Sequence, residues 1–175
     1  MDPSDLTAAI TSVSESSYLF AGSIRDNLLA AKTASDDELI DVLSRVQLWD
    51  FLQKRAGLGT VLTTNAANLS GGQRQRLAIA RSLLKDSQIY IFDEADIMAI
   101  FQELAKTKTV ILITHRLANA ALCDRIFFLE KGQITESGTQ DELIQKAGAY
   151  AQLYQQQAAL ESYAQLGGKN ENEKD

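Results

Sequence analysis

Apolar positions recur along the chain in two rhythms. Leu39, Val42, Leu43 and Val46 fall at spacings of three and four, and Trp49 and Leu52 extend the stripe, which predicts helix within about residues 33–56. Gly57-Leu58-Gly59 breaks it, and residues 60–69 read as an irregular polar linker. Leu6 to Ser14 reads as a helix running into a short strand, and Ser23 to Ala31 as a short helix. From Ser70 to about Leu84 a further helix is expected. Gln88-Ile89-Tyr90-Ile91-Phe92 and Thr109-Val110-Ile111-Leu112-Ile113-Thr114 are nearly continuous apolar runs, as strands covered on both faces would be. Between them, Ile97, Ile100, Phe101 and Leu104 mark one side of a helix over 96–106. Strand, helix and strand at this length predict a parallel βαβ unit.

Arg125 to Glu130 and Gln133 to Glu136, joined at Lys131-Gly132, predict a hairpin. Ser35-Asp36-Asp37-Glu38 and Thr139-Gln140-Asp141-Glu142 have the form of capping boxes. Helices are then expected to about Leu166 with a break at Gly148, and Gly167 to Asp175 reads as a disordered polar tail.

Composition narrows the class. With 175 residues, 45% hydrophobic, the chain is long enough to bury a core. Its formal charge of −6 argues against a nucleic-acid partner, which needs a basic surface. A single cysteine, Cys123, excludes internal disulfides and fits a reducing compartment. No apolar run approaches the ~20 residues of a membrane helix.

Candidate chemistry concentrates in three places. Ser70-Gly71-Gly72-Gln73 opens a helix and has the form of a capping box, but a box does not explain two glycines in the first turn. Each costs up to ~1 kcal/mol in helix propensity relative to alanine. Glycines at an amide-rich helix start let an anion approach the backbone, which makes Ser70, Gly71, Gly72 and Gln73 candidate phosphate contacts. Asp93-Glu94 sits just past the first buried strand, where ligand sites of parallel sheets lie. Asp93 is a candidate Mg²⁺ ligand, and Glu94 a candidate to orient or deprotonate an attacking water. His115, the one histidine, ends the second buried strand and is a candidate hydrogen-bond donor to a terminal phosphate.

These residues resemble the ATP-binding domain of ABC transporters, of the exporter type. Leu69-Ser70-Gly71-Gly72-Gln73 is similar to the signature motif, Ile89 to Glu94 to Walker B with its catalytic glutamate, and His115 to the switch histidine. Gly132 to Gly138 is similar to the family's Gly-x-Ile-x-Glu-x-Gly hairpin, and Tyr18 to Leu28 to the segment after the Q-loop. The resemblance implies an α/β fold: an incomplete P-loop NTPase-like core with a parallel sheet, plus a helical signature subdomain. It implies ATP and Mg²⁺ as ligands, catalytic roles for Glu94 and His115, and contacts from Ser70 to Gln73 to ATP held by a second ATP-binding domain in a head-to-tail homo- or heterodimer. A transmembrane permease domain would be the other partner, at the cytoplasmic face of a membrane.

Four departures bear on this. No Gly-x-x-x-x-Gly-Lys-Ser/Thr loop (Walker A) is present; the only Gly-Lys pair is Gly168-Lys169. Glu15 stands where the family has its Q-loop glutamine and becomes a second candidate Mg²⁺ ligand. Asp93-Glu94-Ala95 runs straight into Asp96-Ile97, with about ten residues of the expected D-loop region missing. Thr64 to Asn68 replaces the Glu-x-Gly stretch expected before the signature. Without Walker A the chain alone is expected to be inactive. The expected division is 1–32, a core remnant with the Q-loop region; 33–85, the helical subdomain and signature helix; 86–138, the core with Walker B, histidine and hairpin; 139–166, C-terminal helices; and 167–175, the tail. The alternative function is a degenerate, non-hydrolytic module that lends its signature motif to a partner subunit. A soluble ABC ATPase of DNA repair fits less well, since the helical segment is short and the charge acidic.

Overall fold

A computed structural model describes residues 9–14, 18–93 and 97–167, with side chains through residue 160. The expected helix before residue 9, Glu15, Glu94, Asp96 and the tail after Gly167 lie outside the described residues. The chain divides into two compact units, Met1–Ile113 and Thr114–Asp175, each described by itself.

In the first unit, β1 (Ile10–Val13), β4 (Ile89–Asp93) and β5 (Thr109–Ile113) form a parallel sheet in the order β1-β4-β5. Ile10 pairs with Ile89, and Asp93 with Ile113. At the entry to β4, the buried hydroxyls of Thr11 and Ser87 lie 2.7 Å apart, and the Ser87 amide donates to the Tyr90 hydroxyl at 3.0 Å. Two minor strands, β2 (Gly22–Ser23) and β3 (Val61–Leu62), pair antiparallel, so the stretch read as an irregular linker carries a strand.

Helix α1 (Ile24–Leu29) starts from a capping box between Ser23 and Asp26. Helix α2 (Asp36–Arg45) starts from the predicted box of Ser35 and Glu38, and α3 (Trp49–Gln53) follows it. Leu39, Leu43, Val46 and Leu52 of this region are buried, as the periodicity requires. Helix α4 (Gly71–Leu83) turns Leu77, Ile79 and Ala80 into the core. Helix α5 (Met98–Ala105) packs on the sheet through Ile97, Ile100, Phe101 and Leu104, with the Phe92 and Phe101 rings stacked at 4.3 Å.

The expectation that both faces of the sheet are covered needs correction. Thr11, Val13, Tyr90 and Phe92 are buried on one face, but across the other Ile111 and Ile113 remain 46% and 52% exposed. Register explains it: Ile91 pairs with Ile111 and Asp93 with Ile113, so these four share the face opposite the buried aromatics. The exposure is confined to β5, an edge strand among the described residues, while Ile89 and Ile91 of β4 on the same face are half-buried.

The second unit contains α6 (Leu117–Ala120), the hairpin β6 (Ile126–Glu130) and β7 (Gln133–Gly138), and helices α7 (Gln140–Lys146) and α8 (Ala149–Gly167). Lys131 and Gly132 form the hairpin turn at positive φ, 51° and 78°, the left-handed region that such a two-residue turn demands. The predicted box of Thr139 and Glu142 caps α7. Leu117, Ile126, Leu143 and Tyr150 form this unit's core.

Candidate functional site

The start of α4 is built by a closed capping box. The Gln73 amide donates to Ser70 Oγ at 3.2 Å, and the Ser70 amide donates to Gln73 Oε1 at 2.9 Å. The Arg74 amide finds the Ser70 carbonyl at 2.9 Å. That leaves the first two helical amides, Gly71 and Gly72, without an acceptor among the described residues, on an exposed tip with no acidic side chain in the first turn. They meet the positive end of a 13-residue helix.

Why glycine stands at both positions is not explained inside the chain. A Cβ at Gly71 would meet only the far end of Arg74 at 3.9 Å, and one at Gly72 would meet nothing within 4 Å. Neither residue has a positive φ. The fold would accept alanine at both and gain helix propensity. The bare backbone therefore suits a group arriving from outside, and donor chemistry of two amides at a helix start suits a phosphate oxygen. Ser70 and Gln73 spend their oxygens on the cap; the Ser70 hydroxyl proton and the Gln73 amide NH₂ remain as further donors.

The body of helix α4 is tied to its surroundings by two arginines that the sequence reading did not single out. Arg76 donates to the carbonyl of Val46 at 2.8 Å and to Gln47 Oε1 at 3.1 Å, gripping the end of α2, where Gln47 takes φ of 55°. Arg81 donates to the Tyr18 carbonyl at 2.8 Å, and burial pushes its guanidinium below the usual arginine range while leaving it charged. Their partners lie 30 and 63 residues away, so nothing local in the sequence marks them. Ahead of the tip, Asn68 accepts from the Thr63 amide at 3.1 Å and donates to the Val61 carbonyl at 2.9 Å, closing the loop that delivers Leu69, which is buried.

Asp93 is the last residue of β4 and is half-buried at the carboxyl end of the sheet, as expected. Glu94 and Glu15 lie outside the described residues. His115 follows β5 by two residues and belongs to the second unit. Among the described residues no group of three or more His, Cys, Asp or Glu side chains is arranged to hold a metal. One carboxylate such as Asp93 still fits the way Mg²⁺ is bound beside nucleotide phosphates, through one or two protein ligands and water.

A parallel sheet with a glycine-tipped helix leading into its central strand defines an α/β domain. A family model described as ABC transporter matches residues 2–96, and the chain belongs to that family, with the fold of an exporter-type ATP-binding domain. It is 41% identical, over 95% of its own length, to an uncharacterized ABC transporter ATP-binding protein of Haemophilus influenzae, of which it covers 32%. It is 35% identical over 86% of its length to the ATP-dependent lipid A-core flippase of Francisella tularensis, covering 27% of that protein. Among solved structures, a bacterial Atm1-family ABC exporter with ATP bound superposes with a TM-score of 0.83 at 33% identity, over 89% of this chain and 29% of that one. The chain thus spans about a third of the length of the relatives it matches. Among the described residues no helix is long and apolar enough to cross a membrane.

Proposed function

We propose that this chain serves the ATPase of an ABC exporter, at the cytoplasmic face of a membrane, by presenting the α4 tip to MgATP held on a second ATP-binding domain. The observation that carries the reading is the Gly71-Gly72 pair: two amides at an exposed helix start with no acceptor, and no packing reason for either glycine, among the described residues. Ser70 and Gln73 flank them and add donors. The flippase and exporter among the relatives support the direction of transport and a membrane-domain partner.

In this reading residues 33–85 act as the signature subdomain and 86–138 as the second part of the core. Asp93, with Glu15, would hold the Mg²⁺ of the ATP bound on the same domain, where the ion would supply charge neutralisation for the phosphates. Glu94 orients or deprotonates the attacking water, and His115 donates to the terminal phosphate. Head-to-tail closure over ATP, then its loss on hydrolysis, would move the membrane helices.

By itself the chain supplies no amide cradle or lysine for the phosphates, which carry most of the grip in this kind of site. Calorimetry on the 175-residue chain is expected to detect no MgATP binding. In a form of the protein that carries the cradle, Glu94→Gln is expected to keep ATP binding and lose turnover by about 100-fold or more. Unchanged turnover would remove Glu94 from the chemistry.

A further inference from the structure

Gln157, on α8, reaches the backbone on both sides of Arg116. Its Nε2 donates to the His115 carbonyl at 2.7 Å, and its Oε1 accepts from the Leu117 amide at 3.1 Å. Only one orientation of the side-chain amide satisfies both partners, so the two bonds define a single pose. Leu117 is the first residue of α6, and Arg116 ahead of it provides no side-chain cap. Gln157 therefore supplies from 40 residues away what the local sequence omits. On the near side, the Arg116 amide is taken by Thr114 Oγ1 at 3.0 Å.

Helix α8 is itself anchored. Glu136 of β7 accepts from the Tyr150 amide at 3.1 Å, and the Tyr150 hydroxyl donates to Gln140. Tyr150 is fully buried. Gly148 makes room for the Glu136 carboxylate: a Cβ there would lie 2.7 Å from both of its oxygens. A continuous line of support thus runs from the hairpin through the start of α8 to Gln157 and the backbone at His115.

We infer that Gln157 is a positioning residue for His115, fixing from α8 the turn that presents the histidine. The functional consequence rests on His115 acting at the terminal phosphate; the positioning itself does not. An exposed neighbour on the same helix, Gln156, makes no such contact.

Because His115 is the only histidine, ring-labelled histidine gives one imidazole signal in the 175-residue chain. Gln157→Ala is expected to shift or broaden that signal and to speed exchange of the Leu117 amide about tenfold, the loss of one hydrogen bond. Gln157→Glu keeps an acceptor for Leu117 but loses the donor to His115, so it should preserve Leu117 protection while still moving the imidazole signal. Gln156→Ala should do neither. An unmoved imidazole signal in folded Gln157→Ala or Gln157→Glu would overturn the inference, whatever the Leu117 exchange. In a cradle-bearing form, Gln157→Ala is expected to lower kcat for ATP about tenfold with KM within about twofold. A parallel loss in both, tracking a lowered melting temperature, would make Gln157 merely structural. If His115→Ala left turnover intact, the phosphate role of His115 would fail, and the spectra would still decide the role of Gln157.

Discussion

Ser35 opens α2 and Ser70 opens α4 with the same reciprocal pair of hydrogen bonds. In α2 the Glu38 amide meets Ser35 Oγ at 3.3 Å and the Ser35 amide meets Glu38 Oε2 at 2.8 Å. In α4 the corresponding distances are 3.2 and 2.9 Å. The turns inside the two boxes differ. Helix α2 places Asp36 and Asp37 there with Glu38 closing the box, so its positive end is met by its own carboxylates, although Asp36 is also tied to Arg25 of α1. Helix α4 places two glycines there and an uncharged Gln73 in place of Glu38, so its positive end is left open. The shared cap makes a helix start; the residues inside it decide whether that start is closed or available to an anion.

Converting one tip into the other tests this contrast. Gly71→Asp with Gly72→Asp gives α4 the first turn of α2. It should weaken MgATP-dependent association with a cradle-bearing ATP-binding domain by about 100-fold or more, because carboxylates would face phosphates across the interface. The melting temperature should hold or rise, since aspartate in a first turn suits the helix dipole. Association at the parent level, measured by sedimentation, would break the comparison.

The reverse exchange, Asp36→Gly with Asp37→Gly, should lower the melting midpoint by about 2–4 °C and leave that association unchanged. A loss of association comparable to that of the α4 variant would show that the two tips are not functionally distinct.

The smallest expected effect is on pH. The hydrogen bond from Arg25 holds Asp36 below the usual carboxylate range, and the Ser35 amide does the same for Glu38. Both carboxyls have folded values below their unfolded ones. Their contribution is therefore complete above about pH 4–5, and is lost as pH falls through the lowered values. Gln73 does not titrate. Between pH 6 and pH 2 the Glu38 amide resonance should follow a titration while that of Gln73 stays level, provided the fold persists. A parallel shift at Gln73 would contradict a closed box held by an uncharged side chain.

Much of this architecture was legible because its signals are local. The capping boxes opened by Ser35, Ser70 and Thr139 each lie within four residues, and the stripe of Leu39, Leu43 and Val46 repeats at the helical period. The parallel pairing of β4 with β5 followed from a helix of fitting length between them. What the sequence did not reveal depends on distance. Arg76, Arg81 and Gln157 act on backbone atoms 30, 63 and 40–42 residues away, and an isolated arginine or glutamine carries no mark of such a partner. The exposed face at Ile111 and Ile113 was read as covered because an apolar run reports the tendency to be buried, and not which neighbours are there to bury it. Strand β3 escaped notice because two residues carry no period. Motifs single out the α4 tip, Asp93 and His115 as candidates, whereas only the structure shows that the Gly71 and Gly72 amides find no acceptor among the described residues.

The central claim is that those two amides receive a phosphate from outside the chain. Glycine-selective ¹⁵N labelling separates the 10 glycine amides, which include Gly71 and Gly72 at the tip and Gly132 in the hairpin turn. On addition of a hydrolysis-deficient, MgATP-loaded ATP-binding domain, the Gly71 and Gly72 signals should move downfield as their N–H groups gain an anionic acceptor, and Gly132 should stay in place. If the partner binds and the Gly71 and Gly72 signals do not move, the phosphate assignment of the α4 tip is wrong.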